Sequence, residues 1–431
     1  MSKYAWMFPN PGAHVPGALG PLVTGRPQLR TLLKRIDEVA ADYGWSPVAP
    51  LLLDGTEPGG AGPGAETGRF WLSCYSTSLV VSEILKDAAV PCDVMLGHSS
   101  GELSALAAAG SLALEDGARL VCERIRSVEE SQLPDGALLA LNSFAERVEH
   151  LCAAVDEGSL AVAVDNGASQ VVASGRTAAI VKLERLAAAL EIGTTRLEAP
   201  GAFHNRLLGP AARRFAEATA DVPLRAPDTP VYSPQLGRYL RTTRDVRELL
   251  DGLLVLPVGF RAALTTLYDS GVRTFVECGA RQVLSGLVPE ILPAAARAVP
   301  MLTSRLHAQS FDETVRRLTG IRQPPPVGVQ APPPPASSPV PAPTRGLPPR
   351  DEMIAEVRQA YADELQYPVD VFDGDPELES ELGVSSLKQT QVFVQLLDKY
   401  SLPTPTSEVR VFTYRTVPQI VDLLRQLDGP Q

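Results

Sequence analysis

The segment "LGHSSGELSALAAAG" (96–110) sets Ser99 between Gly97 and Gly101 at Gly-x-Ser-x-Gly spacing. Two glycines at those positions let the chain make a tight, strained strand-to-helix turn that exposes the serine hydroxyl for nucleophilic attack. His98 and Glu102 extend the pattern to GHSxGE, far more specific than the bare spacing. A serine of ordinary acidity needs a base, and the chain holds five histidines, at 14, 98, 150, 204 and 307. His98 adjoins Ser99, so its side chain is expected to turn away from it. His150 falls on a polar helix. His204, in "PGAFHNRLL", opens a helix where the main α/β pattern resumes, and is the favoured base. His307 is the alternative if the fold is an ordinary α/β-hydrolase, whose histidine comes late.

The surrounding sequence supplies the elements that must hold these groups. "YAWMF" (4–8) and "DVMLG" (93–97) read as short buried strands, the second running straight into the serine turn. Residues 28–43 and 70–89 have helical apolar spacing. Between 136 and 197 the order becomes β-α-β-β-α-β, which suggests a small ferredoxin-like insert (about 132–198). The α/β pattern returns with "RTFVECGARQVLSGL" (273–287). The expected fold class is therefore α/β: an α/β-hydrolase-like core with a ferredoxin-like inserted subdomain.

A sharp break follows at "QPPPVGVQAPPPPASSPVPAPTRGLPP" (323–349), which carries one charge and offers nothing to bury. Such a stretch is a polyproline-II-like spacer whose 27 residues reach roughly 80 Å. It separates residues 1–322 from a second body, 350–431, which reads as four short helices without a strand.

The chain has 431 residues and a net charge of −11, of which −8 falls on 350–431. An overall acidic balance argues against nucleic acid as a partner. It gives the second body a surface suited to a basic docking patch. Five scattered cysteines without CxxC pairs speak against a disulfide framework and against a metal site. No apolar run approaches the roughly 20 residues of a membrane span, and no secretory leader is evident. The expectation is a cytoplasmic, monomeric protein.

GHSSGE followed by "AFH" about 105 residues later resembles the acyltransferases of fatty-acid and polyketide synthesis, the malonyl-CoA:acyl carrier protein transacylases. The likeness spans nearly all of 1–310. "VDNGASQVVASG" (164–175) is similar to the family's Asn-x-x-x-Gln-x-Val-x-Ser-Gly stretch, beginning at Asn166, and "VECGARQVLSGL" resembles a second family segment. The resemblance implies that Ser99 attacks an acyl-thioester with His204 as base, and that a backbone carbonyl in "LPVGF" (256–260) takes the place of a triad acid. It assigns the backbone N–H of Ser100 to the oxyanion hole, and implies contacts to substrate from His98 and Asn166. Arg124 falls where the family clamps the free carboxylate of a malonyl-type group, a task that suits a guanidinium fork. The specificity segment is Gly201-Ala202-Phe203-His204. Phe203 resembles the malonyl-type pattern and would crowd an α-methyl group, whereas Gly201 leaves room where a larger side chain is usual. Malonyl is the expected acyl group.

Two departures stand out. The family's second oxyanion donor is a backbone N–H on the loop after the first strand, where this chain has Pro11, which has no N–H. Either the loop is re-threaded so that Gly12 N–H or His14 substitutes, or transfer is slow, or the domain works on an unusual substrate. "GRF" (68–70) replaces a Gln-Pro typical of the family near the pocket.

"ELGVSSLKQTQVFVQLLDKYSLPTP" resembles an acyl carrier protein, whose Leu-Gly-x-Asp-Ser-Leu motif bears 4'-phosphopantetheine on the serine. Counting from Leu382-Gly383 assigns that role to Ser386, with Ser385 in the aspartate position. The expected function is transfer of an acyl group from acyl-CoA through Ser99 to the arm on Ser386. Implied partners are malonyl-CoA, the chain's own carrier domain, other carriers or a ketosynthase, and a phosphopantetheinyl transferase. Transfer of preformed acyl groups between carriers, hydrolytic editing, and a catalytically weak scaffold that binds a carrier or synthase are the alternatives.

Overall fold

A computed structural model of the chain describes residues 3–9, 15–56, 65–155, 158–197, 199–302, 308–319, 347–365, 369–378, 382, 384, 386–400, 402 and 414–427. Pro11, Gly12, His14, His307, Ser385 and most of the proline-rich segment lie outside these residues. The chain divides into two compact units, residues 1–303 and 304–431.

The first unit is built on a six-stranded sheet in the order β10-β9-β1-β2-β7-β8. Its strands are β1 (Lys3–Phe8), β2 (Val94–Gly97), β7 (Val231–Ser233), β8 (Arg238–Leu240), β9 (Val272–Ala280) and β10 (Arg297–Leu302). All neighbours are parallel except the β7–β8 hairpin. Helices cover both faces of such a sheet, so its central strands are apolar throughout. Ala5, Trp6, Met7 and Phe8 of β1 are all buried. Phe8 is in register with Gly97, and His98 N–H donates to the Phe8 carbonyl at 2.9 Å. The serine turn thus leaves the carboxyl end of β2 beside the carboxyl end of β1, where open α/β sheets place their sites.

The second sheet comprises β3 (Gly136–Leu141), β4 (Ala161–Asp165), β5 (Val171–Arg176) and β6 (Thr194–Leu197). Its order is β4-β5-β3-β6, antiparallel throughout, the ferredoxin-like arrangement. Side chains alternate across a strand, and β3 uses both faces. Leu139 and Leu141 pack with Val148, Leu151, Ile180 and Leu183 of the helices Ala145–Val155 and Thr177–Ala189. Leu138 and Ala140 turn the other way, with Val164 and Val172, toward the main core. A parallel bridge, Val164 to Val258, ties this sheet to the core: Asp165 N–H donates to the Val258 carbonyl and Val258 N–H to that of Ala163, both at 2.9 Å.

The second unit gathers Met353, Tyr361, Phe372, Phe393, Leu396 and Ile420 into a core of its own. Besides the helix Ala308–Thr319, its described residues from 350 onward form helices Arg350–Leu365, Ser386–Tyr400 and Val417–Leu427 plus a 3-10 turn, Val369–Phe372. The sequence reading of four helices there meets three α-helices and that turn among the described residues. No described helix is long and apolar enough to cross a membrane.

Candidate active site

The turn 97–101 is as tight as its glycines require. A Cβ on Gly101 would stand 2.0 Å from the Phe8 carbonyl oxygen, and one on Gly97 would stand 2.1 Å from Glu102 N. Ser99 itself adopts φ +56°, a left-handed conformation that costs a non-glycine residue about 1–3 kcal/mol and persists only where the surroundings fix it. The helix Gly101–Ala108 follows at once, and among the described residues the Ser100 N–H at its start has no recorded acceptor.

Ser99 Oγ lies 2.6 Å from His204 Nε2. The other ring nitrogen, Nδ1, is 2.8 Å from the carbonyl oxygen of Leu256, the first residue of the "LPVGF" segment. Since a carbonyl only accepts, Nδ1 carries the proton and Nε2 is left to accept from the serine hydroxyl. His204 is also held at a left-handed φ of +60°. Its N–H donates to the Leu254 carbonyl at 2.8 Å. The next residue, Asn205, donates through Nδ2 to the carbonyls of Ser159 and Ser174 at 2.9 and 3.0 Å. Burial and the nearby Arg124 charge push the His204 imidazole down to about 3. The pair can take a proton from a hydroxyl and return it, with no carboxylate needed to orient the ring.

Sequence reading did not find what holds the Leu256 carbonyl. Gln235, on the β7–β8 connection, donates through Nε2 to the Leu256 and Leu253 carbonyls at 2.9 and 3.3 Å. Its own backbone N–H donates to Oε1 of the buried Glu102 at 3.2 Å. Burial pushes the Glu102 carboxyl up to about 8. No motif marks Gln235; only the fold brings it to the histidine.

His98 does not turn away from the site. It lines the same cavity as Ser99, because the sharp turn presents both side chains to one side. Its Nε2–H donates to Asn166 Oδ1 at 2.8 Å, while Asn166 Nδ2 donates to Gln170 Oε1 at 2.8 Å. The His98 pKa is lowered, chiefly by burial.

The cavity holds about 790 Å³ and lies between the main core and the open face of the small sheet. Its walls include Leu138, Ala140, Val164 and Val172, with Val283 and Leu287 from the turn after β9. Arg124, from the helix Leu114–Glu129, projects into it with only 1% of its surface exposed. None of its guanidinium nitrogens has a hydrogen-bond partner among the described residues. The cation packs instead on Trp71 and Phe203, 4.1 and 4.3 Å from the two ring centroids. Such contacts offset desolvation by about 2 kcal/mol, yet burial still pulls the Arg124 pKa down to about 9. A desolvated guanidinium fork without an acceptor, in the same cavity as a serine–histidine pair, can take up a carboxylate.

Gly201 is not among the cavity-lining residues. Its φ of +142° favours glycine, and Leu208 and Val128 stand 3.6 and 3.9 Å from where a Cβ would be. Phe203 does line the cavity, and so does Trp71, which the sequence reading passed over although it follows "GRF" directly. Gly68 serves packing: the Trp45 ring occupies the place of its Cβ, as close as 2.4 Å. Phe70 sits at the cavity rim. His150 is exposed on the insert. Ser386 opens the helix Ser386–Tyr400. Buried Gln389, one turn on, donates to the Val384 carbonyl at 2.9 Å and fixes the entry to that helix.

Comparison with known proteins follows the same division. Residues 8–317 match the acyl transferase domain family, and residues 355–424 match the phosphopantetheine attachment site family. The chain is 31% identical over 297 residues to the malonyl CoA-acyl carrier protein transacylase of Bacillus subtilis, covering 68% of this chain and 91% of that protein. It is 25% identical over 297 residues to a non-reducing polyketide synthase of Trichophyton rubrum, covering 67% of this chain but only 16% of that larger protein. Among solved structures, the malonyl-CoA:acyl carrier protein transacylase of Xanthomonas oryzae superposes with a TM-score of 0.64 at 28% identity, over 73% of this chain and 98% of that one.

Proposed function

From the premise that this chain belongs to the acyl transferase domain family and carries a phosphopantetheine attachment domain behind it, we propose that it moves a malonyl group from coenzyme A through an ester on Ser99 to a carrier thiol. The observation that carries this reading is the buried, acceptor-free Arg124 guanidinium in the same cavity as the Ser99–His204 pair.

Each step balances on the chain's own residues. Arg124 takes the free carboxylate of the acyl group and so fixes the thioester carbonyl near Ser99. His204 Nε2 accepts the Ser99 hydroxyl proton as Oγ bonds to the carbonyl carbon. The oxyanion falls to the Ser100 N–H, and His204 then protonates the departing coenzyme A sulfur as the C–S bond breaks. In the return half His204 takes the proton of an incoming thiol, and Ser99 leaves as the free hydroxyl. Ser386 would hold the 4'-phosphopantetheine arm, which supplies that thiol when bound. Residues 323–349, which join residues 1–322 to 350–431, would raise the local carrier concentration to about the millimolar range. Transfer within one chain then needs little intrinsic affinity.

Intact-mass analysis of the phosphopantetheinylated protein with malonyl-CoA tests this. Acyl mass is expected on both Ser99 and the arm. Ser386→Ala should lose the arm and its adduct while keeping the Ser99 ester. Absence of any Ser99 adduct with malonyl-CoA would overturn the reading.

The pH dependence is a second check. A base must be neutral to accept a proton, and the His204 pKa is depressed to about 3 by burial and by Arg124. Its protonation should therefore not limit acylation at the ordinary histidine value of about 6.5. Single-turnover acylation of Ser99 is expected to stay level from pH 8 down to about pH 5. An acid limb centred between pH 6 and 7 would show instead that His204 is solvated and paired.

A further inference from the structure

We infer that Trp71 sets the acyl specificity of the cavity, walling off with Phe203 the space beside Arg124 so that the site takes a 2-carboxyacyl thioester with an unbranched α-carbon. The inference rests on the malonyl reading and extends it to a residue outside the recognised motifs.

The two ring centroids and the Arg124 guanidinium carbon form a triangle with sides of 4.1, 4.3 and 5.8 Å. The rings therefore do not sandwich the cation. They meet at a corner, tilted by 36°, and the cation rests in that corner. Trp71 comes from the helix Ala65–Asp87, Arg124 from Leu114–Glu129, and Phe203 from the segment leading into His204. Since the guanidinium has no polar partner among the described residues, contact with the two rings is what locates it.

An acyl chain with its carbonyl at Ser99 and its carboxylate on Arg124 has its α-carbon between them. A three-carbon diacid is short, so that carbon lies within a bond or two of the carboxylate and close to the aromatic corner. A methyl branch has to enter space that the rings border. Phe203 alone supplies one side of this boundary; Trp71 supplies the other. Apolar walls discriminate one methyl group by roughly 10- to 200-fold, which sets the scale expected here.

The test uses the full phosphopantetheinylated chain with equimolar malonyl-CoA and methylmalonyl-CoA, and acetyl-CoA as an uncharged control, scoring adducts on Ser99 by intact mass. The native protein is expected to favour malonyl over methylmalonyl by at least about tenfold. Trp71→Ala should lower that ratio about tenfold, with methylmalonyl adduct appearing. Trp71→Phe, which keeps an aromatic wall, should hold the ratio within about threefold. Should Trp71→Ala fold poorly, Trp71→Leu keeps apolar bulk but not the flat wall and carries the same expectation as the alanine variant. A ratio unchanged in Trp71→Ala or, where that variant does not fold, in Trp71→Leu overturns this inference alone. A native protein that takes no carboxyacyl group overturns the malonyl reading, and this inference with it.

Discussion

Ser99→Ala is expected to erase the acyl-enzyme ester and to lower malonyl transfer by about 10,000-fold or more, because residues that act as one unit in covalent catalysis fail together. The hydroxyl sits 2.6 Å from His204 Nε2 on a backbone held at φ +56°, and no other hydroxyl or thiol is recorded within hydrogen-bonding distance of that nitrogen among the described residues. His204→Ala should cost somewhat less, about 100- to 10,000-fold, since it removes the proton carrier but leaves the nucleophile and the Ser100 N–H in place. Stopped-flow or quenched single-turnover acylation with malonyl-CoA separates the two. An ester that forms in Ser99→Ala at the native rate would place the nucleophile elsewhere.

Arg124→Ala should lower kcat/KM for malonyl-CoA by about 100- to 1000-fold, the cost of losing a desolvated charge-assisted contact of roughly 3–4 kcal/mol. Acetyl-CoA, which has no carboxylate, should lose far less, so the malonyl-over-acetyl preference collapses. The same change should leave the protein about as stable. A guanidinium whose pKa is pulled well below its ordinary value, to about 9, by burial is charged at a cost on the order of a few kcal/mol in the unliganded state. Removing it relieves that cost while losing the contacts to Trp71 and Phe203. A melting temperature lowered by no more than about 3 °C is expected. A variant that melts far lower, or one that keeps its preference for malonyl-CoA, would assign Arg124 a packing role instead.

The short-range parts of this site were legible in the sequence. Glycine spacing and the apolar run of β2 predict the serine turn, because its sterics are local. The alternating pattern of 136–197 predicts the small sheet for the same reason. What stayed hidden depends on chain segments that meet only in the fold. Gln235 lies on a connection between strands of three residues each, too short to carry a period, and β10 is interrupted by Pro300. Trp71 reads as one more apolar residue on a buried helix until Arg124 is seen against its ring. Gly201 suggests space in the sequence, whereas the fold shows a backbone angle, φ +142°, that favours glycine there.

The seam between the two sheets has a consequence for anyone wishing to re-engineer this enzyme. Val258 pairs with β4 two residues after the Leu256 carbonyl that orients His204, and Asn205, beside the histidine, is moored to Ser159 and Ser174 of the insert. The small sheet is thus a jig in which the proton carrier is set. Swapping it wholesale for the corresponding piece of a relative, to change the acyl group, would exchange the pocket wall and the alignment of the base together. A graft that preserves chemistry must break the chain outside this seam and carry Asn205, Leu256 and Val258 as one block with their partners.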